Sequence, residues 1–284
     1  MKPVVHLYTI CWNEEDLLHH FFDHYDAVVD RYIFYDDGST DETLAILAQH
    51  PKVVVRSLPR LNQDSYVLAA KELHNSCWKE SRGIADWVIY TAVDEFLYAP
   101  QGLGNYLKEC KEQGVTAIPA LGYQMVSDTF PIESEPILLQ VKNGCPWSDM
   151  NKLSIFNPNE ISESNFHAGR HLAEPQGNIV FPKSDVLLNL HCKYLNFEKT
   201  FQRHTDLNIK LGLIDKENGW GFQYGWSRDK FKEDWDFFKQ NSHENILADN
   251  YFPALEHSIT DQRWWRPSWR KRLKKYTMRW WKLI

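Results

Sequence analysis

Cysteine is scarce and unpaired in this sequence. Its five cysteines lie far apart, and no two of them have the CxxC spacing of a zinc ribbon or a redox pair. The pattern excludes a regular disulfide framework, which a chain of 284 residues with 43% hydrophobic residues does not need. We therefore expect a cytoplasmic protein that folds around its own hydrophobic core.

Long apolar runs are also missing. His6, Asn13 and Glu14 interrupt the apolar residues near the N-terminus, so this stretch lacks the apolar core of a signal peptide. No run reaches the ~18 apolar residues that a membrane-spanning helix needs. The sequence predicts a soluble protein or one attached to a membrane surface.

Acidic residues are absent from residues 263–284, which hold nine Lys or Arg, although the whole chain has a formal net charge of −6. Such a basic helix would favour the surface of an anionic membrane, here the inner face. The alternatives are that its aromatic residues pack on the rest of the protein, or that its charge attracts nucleic acid, which the acidic body disfavours. The large apolar residues recur every three or four positions, as on one face of an amphipathic helix: Trp265, Trp269, Leu273, Tyr276 and Trp280.

The first hundred residues alternate short apolar runs with amphipathic stretches. This alternation predicts an α/β fold with a mostly parallel sheet and helices on both faces. Ser39 and Glu42 form a capping-box pattern, and Gly38 suits the turn before it. The predicted strands are 4–10, 31–35, 52–56, 87–93, 115–121, 152–156 and 186–191, and the predicted helices are 14–26, 39–49, 65–80 and 103–113.

Two acidic pairs follow predicted parallel strands. Asp36 and Asp37 end the second strand, and Asp94 and Glu95 end the fourth. Ligands of open parallel sheets bind beyond the carboxyl ends of the strands, so both pairs lie where a ligand is expected. Asp94 and Glu95 suit a divalent cation, and the first pair suits a base or ribose. A surface turn and a solvated loop are the alternative explanations.

These residues resemble a known group, the family-two-like glycosyltransferases of the GT-A fold, in the branch with a DEF triplet after the metal-binding strand. The resemblance covers residues 4 to 100 and weakens towards residue 205. It departs at Ala92, where family members often have Asp. The matching segments are Thr9 to Glu15, Tyr35 to Asp41, Trp78 to Trp87 and Asp94 to Leu97.

The resemblance implies a Rossmann-like sheet that binds a nucleotide-sugar, with a UDP-sugar favoured, and a Mn²⁺ or Mg²⁺ ion. Asp94 then lies in the metal-binding motif, with Glu95 and His191 as further ligands, and His171 contacts phosphate or acceptor. Arg82 follows the helix that precedes the metal-binding strand, where a cation can reach the nucleotide. The alternative is that Arg82 is simply solvated. The implied donor-binding residues are Thr9, Asn13, Glu14, Asp36, Asp37, Arg82 and Asp94.

Sugar transfer also needs a base for the acceptor hydroxyl, in this group generally a carboxylate from the second half that gives inversion. Asp149 is the best candidate, since it lies in a polar loop before a predicted strand. Glu133, Glu135 and Glu174 are alternatives, and Asp149 can equally be an ordinary loop acid.

The combined prediction is an inverting, metal-dependent glycosyltransferase that acts on a glycan or lipid-linked acceptor of the lipopolysaccharide or surface-polysaccharide type. Residues 1–205 form the catalytic domain, divided at residue 100 into a nucleotide-sugar half and a metal and acceptor half. Residues 206–262 form an acceptor-side extension, and residues 263–284 form the basic tail. The alternatives are a nucleotidyltransferase, which normally has a glycine-rich loop where this chain has Cys11 to Glu15, and an inactive sugar- or lipid-binding scaffold.

Overall fold

The computed structural model describes residues 2–60, 64–252 and 263–266. Its strands are β1 (Val5–Cys11), β2 (Arg31–Asp36), β3 (Val53–Ser57), β4 (Trp87–Tyr90), β5 (Glu95–Tyr98), β6 (Ala117–Ser127), β7 (Gly144–Pro146), β8 (Lys152–Phe156), β9 (Ile161–Glu163), β10 (Gln176–Gly177) and β11 (Leu188–Leu195). Its α-helices are α1 (Glu15–Tyr25), α2 (Thr43–Gln49), α3 (Tyr66–Ser76), α4 (Leu103–Glu112), α5 (Ile137–Gln140), α6 (Phe197–Lys210), α7 (Leu213–Glu217) and α8 (Arg228–Gln240).

The first four strands form the parallel half of the main sheet. They pair in the order β3-β2-β1-β4, and every pairing among them is parallel. The residues of β1, β2 and β4 are almost all buried, as expected for strands covered on both faces, whereas β3 at the edge is half-exposed. The four predicted parallel strands and the α/β class are confirmed.

The second half of the sheet is mixed. Strand β8 runs antiparallel to both β4 and β6, β6 pairs in parallel with β11, and β11 pairs antiparallel with β5. The strand predicted over 87–93 ends at Tyr90, because the chain turns there and returns as β5. This turn places Asp94 beside β11, since Glu95 is the register partner of His191.

The predicted capping box at Ser39 and Glu42 is wrong. Helix α2 begins at Thr43, and its N-cap residue Glu42 has no side-chain cap bond. The Asp36 carboxylate instead accepts hydrogen bonds from the backbone N–H of Gly38 at 2.9 Å and of Ser39 at 3.2 Å. An Asp side chain competes well for nearby amides, so the residues after β2 form a turn rather than the first turn of a helix. Gly38 has φ +78°, which confirms its role in that turn.

Residues after 205 are part of the same body as the first half. The predicted boundary at 205 falls inside α6. Asp215 of α7 is fully buried and accepts hydrogen bonds from the Ser65 hydroxyl and from the backbone N–H of Tyr66 and Val67. One carboxylate from α7 thereby satisfies amides at the first turn of α3, where helical N–H groups lack intrahelical partners.

The beginning of the basic tail packs on the body. Trp264 and Trp265 are buried, and the Trp265 indole N–H donates to the Asp185 carboxylate at 2.9 Å. Arg263 and Arg266 bind the same carboxylate. Trp265, predicted to face a membrane, therefore contacts protein, and the rest of the predicted helix lies outside the described residues. Within the described ranges no helix is both long and apolar enough to cross a bilayer.

We predict that Asp215→Ala lowers the free energy of unfolding by about 2–3 kcal/mol, because one buried hydroxyl and two partly buried backbone N–H groups lose their acceptor. Urea denaturation followed by circular dichroism measures the change. Glu217→Ala, at an exposed position of the same helix, is the matched control and should stay within about 0.5 kcal/mol of the unsubstituted protein. Equal stability of the two variants would contradict this account of Asp215.

Candidate functional site

A cavity of ≈ 260 Å³ opens beyond the carboxyl ends of β1 and β2, next to the β4–β5 turn. Helix α6 and the 3₁₀ turn at Phe222–Gly225 contribute the opposite wall. This is the position where ligands of open α/β sheets bind. The polar and aromatic residues that line it include Trp12, Asn13, Glu14, Asp37, Tyr66, Asp94, Lys193, Arg203, Lys210 and Tyr224.

Asp94 lines this cavity and faces His191, which does not line it. The His191 Nε2 lies 3.4 Å from the Asp94 Oδ2, and its Nδ1 lies 2.6 Å from the Gln124 Oε1. The Gln124 amide NH₂ donates to the carbonyls of Met125 and His191, so Oε1 is the side that accepts from the imidazole. This network assigns a proton to Nδ1. In the neutral ring, the Nε2 lone pair then points towards the Asp94 carboxylate.

Two acceptors that face each other in this way need a cation between them or a second proton on the ring. Burial alone would raise the pKa of Asp94, but His191, Lys193 and Lys152 together hold it well below its usual value. The pair therefore fits two ligands of a divalent ion, with Gln124 orienting the imidazole as outer-shell partners do. Within the described residues no group of three or more His, Cys, Asp or Glu side chains is arranged for a metal.

Glu95 was predicted to be a third ligand, and the structure contradicts this. Its side chain is 2% exposed and lies 2.6 Å from the Lys152 ammonium and 3.0 Å from the Arg170 guanidinium. Asp94 in the turn lines the cavity, whereas Glu95 begins β5 and its side chain points into the protein. Burial opposes its charge, yet Lys152 and Arg170 lower the pKa of Glu95 to about 2.

Four of the predicted donor-binding residues line the cavity: Asn13, Glu14, Asp37 and Asp94. Asn13 accepts from the Thr40 N–H at 2.7 Å and so joins the loops after β1 and β2. Burial raises the pKa of Glu14 to about 7, against the charge of Arg203, whose guanidinium lies 2.6 Å from the Glu14 carboxylate.

The other three do not line the cavity. Thr9 is completely buried, and its hydroxyl donates to the Ile10 carbonyl at 3.3 Å. Asp36 is occupied by its own turn. Arg82 donates to the carbonyls of residues 158, 161 and 162 and stacks over Trp78, so it braces a loop. Thr9, Asp36 and Arg82 are therefore not placed to contact a donor in this cavity, contrary to the prediction.

Four cations on the cavity wall were missed by the sequence analysis: Lys193, Lys199, Arg203 and Lys210. Arg203 and Lys210 lie on α6, and both lie over the Trp12 ring, at 5.0 and 4.1 Å from its centroid. Lys210 also forms an ion pair with Asp37 at 2.9 Å. The seven-residue spacing of Arg203 and Lys210 could have indicated that both lie on one face of a helix.

Asp149 and His171 lie together, and neither lines the cavity. The His171 Nδ1 donates to the Asp149 carbonyl at 2.5 Å, and the Trp147 ring lies 5.7 Å from the His191 ring. The protein around its loop partly desolvates the Asp149 carboxyl and raises its pKa, although the Trp147 indole N–H opposes the shift, and desolvation lowers the pKa of His171 to about 4. The alternative acids Glu133, Glu135 and Glu174 are exposed and do not line the cavity.

Comparison with known proteins gives one extensive match. The model of glycosyltransferase family 92 matches residues 5–250. The matching family is thus family 92 and not the family-two-like group that the motifs resemble. No curated protein matches the chain by sequence.

Solved structures resemble the chain weakly. Glucosyl-3-phosphoglycerate synthase from Mycobacterium tuberculosis, in complex with Mn²⁺, uridine diphosphate and phosphoglyceric acid, is 18% identical over 42% of this chain and 43% of that one, with a TM-score of 0.29. The same enzyme with Mn²⁺, UDP-glucose and glycerol 3-phosphate is 21% identical, over 42% and 44%, with a TM-score of 0.29. A mycobacterial protein is 20% identical, over 43% and 41%, with a TM-score of 0.30. The chain therefore covers less than half the length of these structures.

We predict that Glu95→Gln lowers the free energy of unfolding at pH 7 by about 3–5 kcal/mol, because it leaves two buried cations without their counter-charge. Thermal and urea unfolding measure the loss. Glu163→Gln is the control, since the Glu163 pair with Lys79 is partly exposed and should contribute at most about 1 kcal/mol. A loss in Glu95→Gln no larger than in the control would refute the role given to this network.

The buried His204 predicts a loss of stability in acid. Its ring packs among Tyr194, Tyr224 and Phe231, and burial, helped by Lys193, lowers its pKa from 6.5 to about 2. The folded state disfavours protonation of His204, whereas the unfolded state accepts the proton near pH 6.5. The contribution of His204 to the free energy of unfolding is therefore fully present above pH 6.5 and falls below it. We expect His204 to account for a loss of about 2 kcal/mol between pH 7.5 and 5.

Urea unfolding at a series of pH values tests this expectation. His204→Phe should flatten the pH dependence by that amount, whereas the exposed His19→Phe should leave it unchanged. An unaltered slope in His204→Phe would show that other groups cause the acid sensitivity.

Proposed function

This chain belongs to glycosyltransferase family 92, and we propose that it transfers a sugar from a nucleotide-sugar donor to a hydroxyl of a glycan or lipid-linked acceptor. The observation that carries the proposal is the pairing of Asp94 with His191 at a cavity whose opposite wall is basic. A nucleoside diphosphate needs both features, because its phosphates attract cations and its departure leaves negative charge to be stabilised.

Lys193, Arg203 and Lys210 are proposed to bind the diphosphate. Arg203 and Lys210 are already held in place by Glu14 and Asp37, so little side-chain entropy is lost when the donor arrives. Trp12 and Tyr66 supply aromatic surface for a base, and Asn13, Glu14 and Asp37 supply polar contacts to base and ribose. A UDP-sugar is the favoured donor.

Asp94 and His191 are proposed to hold Mn²⁺ or Mg²⁺, with phosphate oxygens of the donor completing the ligand set. When bound, the ion would neutralise charge on the diphosphate as it leaves. Ala92 lines the cavity where the resemblance calls for a further acid, so the protein offers few carboxylates to the ion. We propose that the cations of the basic wall neutralise part of the diphosphate charge, and that this compensates for the acid absent at position 92.

Asp149 is proposed as the base that accepts the proton of the attacking hydroxyl, with His171 fixing its loop through the Asp149 carbonyl. Attack on the face opposite the leaving diphosphate gives inversion. The acceptor is proposed to be of the lipopolysaccharide or surface-polysaccharide type. The part of the basic tail that follows Arg266 is proposed to bring the protein to the inner face of a membrane.

We predict that Asp94→Asn lowers donor turnover by about 10²-fold or more, since it weakens charge stabilisation at the leaving group. UDP-, GDP-, CMP- and dTDP-sugars are offered with Mn²⁺, with Mg²⁺ and with chelator, and nucleotide release is measured. The control Asp128→Asn, an exposed acid paired with Lys239, should retain activity within about twofold.

The outcomes separate the candidate functions. Turnover of one donor that depends on metal and on Asp94 supports the transferase and names its nucleotide. Nucleotide binding, seen by thermal shift, without turnover of any donor would favour the sugar-binding scaffold. No response to any nucleotide would overturn the proposal.

A further inference from the structure

Trp147 is held rigidly at the edge of the site. Its backbone N–H donates to the Gly122 carbonyl at 2.9 Å, and a Cβ at position 122 would lie 2.6 Å from the Trp147 carbonyl oxygen and 2.4 Å from Met150. Only glycine therefore lets β6 and the loop between β7 and β8 approach so closely. The loop that carries Trp147 and Asp149 has one position relative to the sheet.

The Trp147 ring lies between the Asp94–His191 pair and helix α8. Its centroid is 5.7 Å from that of His191 and 5.2 Å from that of Phe238, which packs edge-on against it. Trp147 remains half-exposed, and Asp149 two residues later is exposed. Neither residue lines the donor cavity, so they form a separate surface next to it.

Two cations near this surface are buried and already neutralised. Lys152 and Arg170 are the positive groups whose charges act on His171, and both are bound to the buried Glu95. An acceptor with a phosphate or carboxylate would therefore meet the Asp149 carboxylate without a free counter-charge from these two residues. A neutral molecule with hydroxyl groups meets no such penalty.

We propose that Trp147 and Asp149 form the acceptor subsite and that the subsite takes a neutral sugar ring. The indole covers the CH-rich face of a pyranose, and one ring hydroxyl points to the Asp149 carboxylate. A bond forms between this hydroxyl oxygen and the anomeric carbon, while the bond from that carbon to the diphosphate oxygen breaks and its electron pair leaves with the nucleotide. The hydroxyl proton passes to Asp149. This inference rests on the proposed function.

The test measures two activities of the full chain with the donor found above. Donor hydrolysis without acceptor reports on the donor site alone. Transfer is measured with two acceptor panels: neutral p-nitrophenyl pyranosides of glucose, galactose, mannose and N-acetylglucosamine, and the anions glycerol 3-phosphate and phosphoglycerate. We expect a neutral pyranoside to raise nucleotide release about tenfold above hydrolysis, and the anions to leave it unchanged.

Variants at position 147 test the indole. Trp147→Ala should raise the KM for the pyranoside about tenfold more than it raises the KM for the donor, whereas Trp147→Phe, which keeps an aromatic face, should stay within about threefold of the unsubstituted protein. Trp226→Ala removes a half-buried tryptophan that does not line the cavity and is the matched control.

Each outcome decides between the two proposals. Intact hydrolysis with equal or greater stimulation by the anions, or with stimulation by neither panel, overturns the neutral-sugar subsite and leaves the transferase standing. An acceptor KM in Trp147→Ala equal to that in Trp226→Ala also overturns it. Absence of donor hydrolysis in the unsubstituted protein instead contradicts the proposed function itself.

Discussion

The buried ionic network of Glu95, Lys152 and Arg170 is the interaction on which the rest of the site depends. Glu95 comes from β5, Lys152 from the start of β8, and Arg170 from the loop that also carries His171. Arg170 further donates to the Tyr90 carbonyl at the end of β4. The network thus joins the turn that presents Asp94 to the loops that present Asp149 and His171.

The network also explains why two adjacent acids have different roles. The chain reverses between β4 and β5, and the Asp94 carbonyl accepts from the Cys192 N–H at 2.7 Å. This bond fixes Asp94 beside β11, so its side chain faces the cavity and the next side chain faces inwards. A charge buried as deeply as that of Glu95 persists only with close partners, and two cations provide them.

Much of the fold could be predicted from the sequence because the informative contacts are local. Apolar runs predicted the parallel strands, and β8 was predicted with its observed bounds. The apolar stretch before His191 predicted a strand that ends at His191, whereas β11 continues to Leu195. The roles of Glu95, Asp36 and Arg82 could not be predicted, because their partners are distant in sequence or are backbone groups. Arg82, for example, binds carbonyls 76 or more positions away. The cations of α6 were missed because their position follows from tertiary packing and not from any motif.

The bond between Ser65 and Asp215 has a consequence for how the protein is made. These two residues are 150 positions apart, and they join α7 to the helix that carries the cavity residue Tyr66. During synthesis the first four strands leave the ribosome well before α6 and α7 do, so the nascent chain has a partial sheet without one wall of its cavity. Loop closure over such a distance is slow compared with local folding. Completion of the cavity wall is therefore among the last steps in the folding of the new chain.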